Sequence, residues 1–260
     1  MLKVESVARG LEVLRLINYG KVHGEGASLG ELAAAAGLSR GTTYRILYTL
    51  QSTGYVVRNA DGRYDVTRRV RTLSHGYDDD WISAIADPVV RDLGKKIMWP
   101  LSVSEHVGGA VVVRLTTDKQ SPLVFNVIRP GYNMSMLDTA SGRVLLAYSS
   151  PEKQATIMEY IVGLGGDRAV AAEMLGRNFA ATGELIRQRG YDHCTIPQVR
   201  QTALAVPVRN ENDEVIAALG VRYFSTAMSM AEAVRTFLEP LQQAARQMYE
   251  FNLARKGRMQ

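Results

Sequence analysis

The stretch Gly37–Leu50 reads GLSRGTTYRILYTL, and its two faces differ sharply in chemistry. Thr43, Ile46, Leu47 and Leu50 recur at helical spacing and are expected to pack inward. The opposite face carries Arg40, Thr42, Tyr44, Arg45 and Tyr48, and no Asp or Glu occurs between Glu31 and Asp61. Just upstream, Ser28 and Glu31 have the spacing of a capping box, which starts a short helix whose buried stripe is Leu29, Leu32, Ala33 and Ala36. Gly37 stands where a left-handed C-terminal cap is wanted, and Ser39 is the next N-cap. With a first helix over roughly residues 6–18, built on Val7, Leu11, Leu14 and Ile17, the pattern is a helix-turn-helix.

The missing acids give the third helix a chemical purpose. A helix in the DNA major groove is flanked by phosphates, which repel carboxylates. Arginine bonds guanine bidentately, threonine meets base edges or the thymine methyl, and hydroxyls reach phosphate oxygens. Gly41 leaves room for close approach at the helix start. Further on, Tyr55–Arg58 and Arg63–Val66 alternate around Asn59-Ala60-Asp61-Gly62, a hairpin signal that predicts a two-stranded wing. The expected DNA-contacting set is Ser39, Arg40, Gly41, Thr42, Thr43, Tyr44, Arg45 and Tyr48, with Arg58 and Arg63 from the wing. Thr43 is thus counted both there and on the packing face.

Charge supports the same division. The 260-residue chain carries a net +5. Residues 1–71 hold eleven Lys/Arg against six acids, and the remainder holds twenty of each. All the excess positive charge lies in the first quarter, as expected of a polyanion-binding module joined to a neutral partner domain. The 46% apolar content can bury a core, and no run approaches a membrane span. The N-terminus lacks a signal-peptide pattern, and the lone Cys194 suits a reducing cytoplasm.

Several motifs resemble a known family. SLGELAAAAGLSRGTTYRILYTLQSTGYV, with the wing and YDVTRRVRTLS, resembles the winged helix and linker of IclR-type transcriptional regulators. PGYNMSMLDTASGRVLLAY resembles the family segment that enters its ligand pocket, and LAVPVRNENDEVIAALGV its paired C-terminal strands. Within the family, MWPLSVS and VVVRLTT are most similar to regulators of hydroxyphenylpropionate breakdown. The resemblance implies a GAF-like effector domain and a dimer or tetramer. Family members usually carry an acid and a glycine before the AVPV-type strand, where this chain reads IPQVRQTALAVPV. Ala203, Gly220 and Arg222 stand where some members have other polar, ligand-facing side chains.

The expected architecture is therefore α+β. Residues 1–66 form a winged helix-turn-helix, 67–80 a linker helix capped by Thr67, and 81–260 an antiparallel-sheet effector domain. In that last part the pattern predicts a helix over Trp81–Met98 and strands at Leu101–Val107, Ala110–Thr116 and Leu123–Arg129. Helices are expected near 138–149, 151–162 and 179–189, strands at Ala203–Arg209 and Val215–Phe224, and a closing helix over Met230–Leu253. His-Val-Gly-Gly (106–109) reads as a hairpin, and the acidic run Asp78–Asp80 ends the basic region.

Signals for catalysis are weak. TASGR (139–143) lacks the glycine that a nucleophile elbow places two residues before the serine, and GLGGD (163–167) lacks the Lys-Ser/Thr of a P-loop. The four histidines have no metal-ligand spacing, so neither cofactor nor metal is expected. Ser141, at a helix start, suits an anion. Arg114 and Arg222 interrupt apolar strands; one of them binds an organic acid, or each forms an internal pair with Glu105 or Asp138 or is simply exposed at a sheet edge. The expected effector site comprises Trp99, Arg114, Met134, Met136, Leu137, Ala140, Ser141, Gly142, Cys194, Ala203, Gly220 and Arg222. Its ligand would be a small organic, aromatic acid, and the other partner an operator in double-stranded DNA. Two rivals remain at this level: an enzyme on a small acid with an accessory DNA-binding module, and a chromatin-type binder that senses nothing.

Overall fold

In the computed structural model the described residues are 4–22, 26–74, 81–107, 110–124, 126–163, 179–196 and 200–259. They fall into two units, Met1–Asp78 and Asp79–Gln260.

The first unit is three helices and a hairpin. Helix α1 (Glu5–Val22), α2 (Leu29–Ala36) and α3 (Arg40–Ser52) surround a core of Val13, Leu14, Ile17, Leu32, Leu47, Val56 and Tyr64. Helix α2 begins with a complete capping box: Glu31 N donates to Ser28 Oγ, and Ser28 N donates to Glu31 Oε2 at 2.8 Å. It ends at Gly37, whose φ of 63° is the left-handed cap. Ser39 caps α3 by accepting from Thr42 N. The first helix is phased differently from expectation. Leu14 and Ile17 are buried with Val13, but Val7 and Leu11 are each 60% exposed, because the core meets only one of the two apolar stripes on α1.

Strands β1 (Val56–Arg58) and β2 (Tyr64–Val66) pair antiparallel as the wing. Asn59 closes its tip: its N–H donates to the Arg63 carbonyl, and its Oδ1 accepts from Arg63 N. Gly62 supplies the positive φ, 77°, that the turn needs. In place of a regular linker helix, Arg68–Ser74 form a 3-10 helix, started by Thr67 Oγ1, which accepts from Arg69 N and donates to Gly54 O. The expected boundary near 77–81 lies, but for Trp81, outside the described residues.

The second unit is a six-stranded antiparallel sheet between two helical layers. A π-helical turn (Ile82–Ala86) leads into α4 (Asp87–Ile97). Strands β3 (Leu101–Val107), β4 (Ala110–Thr116) and β5 (Asn133–Met134) are followed by α5 (Ala140–Ala147), α6 (Pro151–Gly163) and the helical residues 179–189, α7. Then come β6 (Asp192–Ile196), β7 (Gln201–Arg209), β8 (Val215–Phe224) and α8 (Met230–Met259). The strand order is β5-β4-β3-β8-β7-β6. Leu101, Val103, Leu204, Val206, Leu219 and Val221 pack with α4 and α8 in one core, while Val111, Ala205 and Ala218 pack with α5, α6 and α7 in another. The turn of the 106–109 hairpin, at 108–109, and all of GLGGD except Gly163 lie outside the described residues.

Among its described residues, the expected strand at Leu123–Arg129 does not form. Its backbone is held instead by side chains: Ile128 N donates to Asp118 Oδ2, and Leu123 N donates to Ser121 Oγ. The two-residue β5 pairs with β4 in its place, joining Val111 to Met134 and Val112 to Asn133.

Candidate functional sites

On the first unit, α3 presents a bare cationic face. Arg40 and Arg45 are exposed, and Tyr44 and Tyr48 are 54% and 66% exposed. Thr42 is half-buried, and its hydroxyl lies 2.9 Å from that of Ser39. Gly41 is exposed, with nothing near the place of a Cβ. Thr43 corrects one expectation: it is fully buried, its Oγ1 donates to Ser39 O, and it belongs to the packing face alone.

The two wing arginines are less free than expected. Arg58 Nε donates to Gly62 O and the guanidinium lies over the Tyr64 ring. Arg63 reaches back to α2, donating to Gly26 O and, at 2.8 Å, to Glu31 Oε2. The acid bordering the acid-free span is thereby engaged from two sides. Its carboxyl is held below the usual 4.5, first by the hydrogen bond from Ser28 N and then by Ser28 Oγ and Arg63.

The second unit contains a cavity of about 650 Å³, within the size range of small-molecule sites. Its floor is Ser102 of β3, Ala203 of β7, and Gly220 and Arg222 of β8. One end is the start of α5, where Thr139 caps the helix by accepting from Gly142 N. At that end Ala140 and Ser141 line the cavity, and first-turn N–H groups have no acceptor within their own helix. The other end is Arg222, whose Nη2 lies 2.5 Å from the fully buried Asp118. Tyr132, Asn133, Met134, Ser135, Asn126 and Ile128 complete the wall on one side, and Cys194, Gln201 and Thr202 on the other. Arg143 of α5 fixes the helix to β6, donating to Asp192 Oδ2 at 2.7 Å and to the His193 carbonyl. Burial pushes the Cys194 thiol above its ordinary 9.0, and its Sγ donates to Asp138 O, so it is held as a thiol.

Of the residues expected at an effector site, Met134, Ala140, Ser141, Cys194, Ala203, Gly220 and Arg222 line this one cavity. Five others are placed elsewhere. Trp99 stacks edge-on against Tyr223 and Phe224 in the opposite core. Arg114 pairs at 2.7 Å with Glu105, which also accepts from the Trp81 indole. Met136 and Leu137 are buried in the core under α5. Gly142 lies against the Met136 backbone, where a Cβ would come within 2.2 Å of the carbonyl oxygen. Asp118 was not anticipated. Arg222 takes it as partner rather than Glu105 or Asp138, and no local signal pairs the two, since Asp118 follows β4 and Arg222 lies on β8, 104 residues away.

Models of two families match the chain: the IclR helix-turn-helix domain over residues 6–60 and the bacterial transcriptional regulator IclR C-terminal domain over 78–249. The chain belongs to the IclR family. Relatives of this IclR protein include the glycerol operon regulatory protein of Streptomyces griseus, 25% identical over 237 residues and 84% of each chain. The Pca regulon regulatory protein of Pseudomonas putida is 25% identical over 250 residues, 94% of this chain and 82% of that one. An IclR homologue from Microbacterium hydrocarbonoxydans, solved with 4-hydroxybenzoate, shares the fold with a TM-score of 0.70 at 22% identity, over 96% of this chain and 99% of that one. The IclR protein is a DNA-binding transcriptional regulator, and its family and relatives are regulators rather than enzymes. Among the described residues no helix is long and apolar enough to cross a membrane.

Proposed function

We propose that this IclR protein senses a small aromatic acid in the β3-β7-β8 cavity and thereby resets the spacing of two winged helices on a two-fold operator. The observation that carries it is the cavity's build: a floor of Ala203 and Gly220 between the α5 start and Arg222. A flat ring fits such a floor, and Ser141 with the free N–H groups at the start of α5 suits a carboxylate. The 4-hydroxybenzoate held by the Microbacterium homologue supports the same ligand class. On the DNA side, Arg40 and Arg45 on an acid-free face are suited to base edges and phosphates.

Pairing of two chains follows from the need for enough base contacts, since one winged helix reads too few. Val7 and Leu11 on α1, with Val4 just before its first turn, are each 60% or more exposed and follow helical spacing along one stripe. A stripe of that kind suits the same stripe on a second copy. Ligand then favours one arrangement of the pair, a population shift.

The test joins both halves. In a mobility-shift assay on DNA flanking its own gene, benzoate-type acids should change the operator affinity, and the same acids should raise the melting temperature. Arg45→Ala should weaken the shift while keeping the melting response. Melting indifferent to every aromatic acid would remove the sensor reading.

A further inference from the structure

Arg222 is the cation of the cavity, but its charge is already matched. Nη2 lies 2.5 Å from Asp118 Oδ2, and Asp118 is fully buried behind the guanidinium. That carboxylate also takes hydrogen bonds from Thr116 Oγ1 and, at 2.7 Å, from Ile128 N. The guanidinium still has donor capacity: Nη1 is 3.5 Å from Asn126 O, and Nε is buried without a partner. Arg222 therefore offers N–H groups but no uncompensated charge. Among the described residues the other charged member of the lining, Asp138, is an anion whose Oδ2 accepts from Ser135 Oγ.

The two ends are separated by a fixed length of strand. Gly220 and Arg222 share a face of β8, two residues or about 7 Å apart. Ser141 Oγ lies 3.4 Å from the place of a Cβ on Gly220, and Ala203 is the register partner of Arg222. A ring with para substituents has about that length, with one substituent at each end.

We infer that Asp118 tunes Arg222 to read an uncharged oxygen, a hydroxyl or carbonyl, on the ligand's far end and to reject a second carboxylate there. This rests on the aromatic-acid reading and adds the chemistry of the second substituent. A neutral oxygen accepts from a guanidinium N–H without needing its charge. A carboxylate in the same position would be desolvated beside a neutralised cation, with the like charge of Asp118 behind it. Asp118 is thus a positioning residue for specificity and touches no ligand itself.

The test is calorimetric titration of the full chain with 4-hydroxybenzoate, terephthalate and benzoate, which share a ring and differ at the para position. The wild type should bind 4-hydroxybenzoate at least about tenfold more tightly than either of the others. Asp118→Asn, nearly isosteric, releases the guanidinium charge and should improve terephthalate binding by about tenfold, with 4-hydroxybenzoate changing far less. Terephthalate or benzoate equal to 4-hydroxybenzoate in the wild type overturns the inference and leaves the aromatic-acid sensor standing. An unmoved ratio in a folded Asp118→Asn protein does the same. Binding of none of the three overturns this inference, while the sensor reading then stands or falls with the melting response to other aromatic acids. The wild-type comparison needs no variant to fold.

Discussion

At the scale of single residues, Gly142 separates packing from recognition. It sits in a segment that resembles the family's pocket entrance, yet its missing side chain serves the crossing of α5 over the Met136 carbonyl. Gly142→Ala would force backbone apart, and should destabilise the second unit by about 3 kcal/mol, read from urea unfolding. A change under about 1 kcal/mol would show that α5 shifts freely. The same scale explains what the sequence left open. Arg114 and Arg222 look alike as arginines in apolar strands, and only three-dimensional neighbours distinguish them. Arg114 meets Glu105, while Arg222 faces the cavity with Asp118 at its back. Trp99 lies in the turn between α4 and β3, where no periodicity tells which of the two cores an aromatic side chain joins.

Among elements, the helix-turn-helix was the most legible, since each of its boundaries has a chemical cause in a short window. Ser28-Glu31, Gly37 and Ser39 all do locally what their types predict. The segment after β4 was misread because its backbone is tied by Asp118 and Ser121 side chains rather than by a ladder. The clamp between wing and α2 makes a pH prediction. Glu31 has its folded pKa below the usual 4.5, so its contribution is present above that value and lost as pH falls through the folded one. At neutral pH, Glu31→Gln should melt below wild type, and the gap should narrow at an acid pH below 4.5. Scanning calorimetry at both values decides it; a gap that persists in acid would mean the carboxylate charge is not what matters.

For the whole molecule, the division into a basic first quarter and a neutral remainder is readable from charge alone, whereas the outward stripe on α1 is not. Periodicity detects apolar stripes without saying which one meets the core, and Val13 took the place expected of Val7 and Leu11. If that stripe pairs two chains, Leu11→Asp should shift sedimentation toward smaller species and weaken operator binding, while ligand-induced melting shifts persist. Unchanged sedimentation would assign pairing to another surface. Gly220 carries a last consequence. A methyl there would meet Leu204 O and Ser141 Oγ no closer than 3.4 Å, an ordinary contact. The scaffold can thus absorb a side chain at this one spot, and what it would take up is room now open to the guest. If that cavity holds the effector, descendants of this regulator can narrow the range of molecules they answer to in one mutational step, without first having to rebuild the sheet.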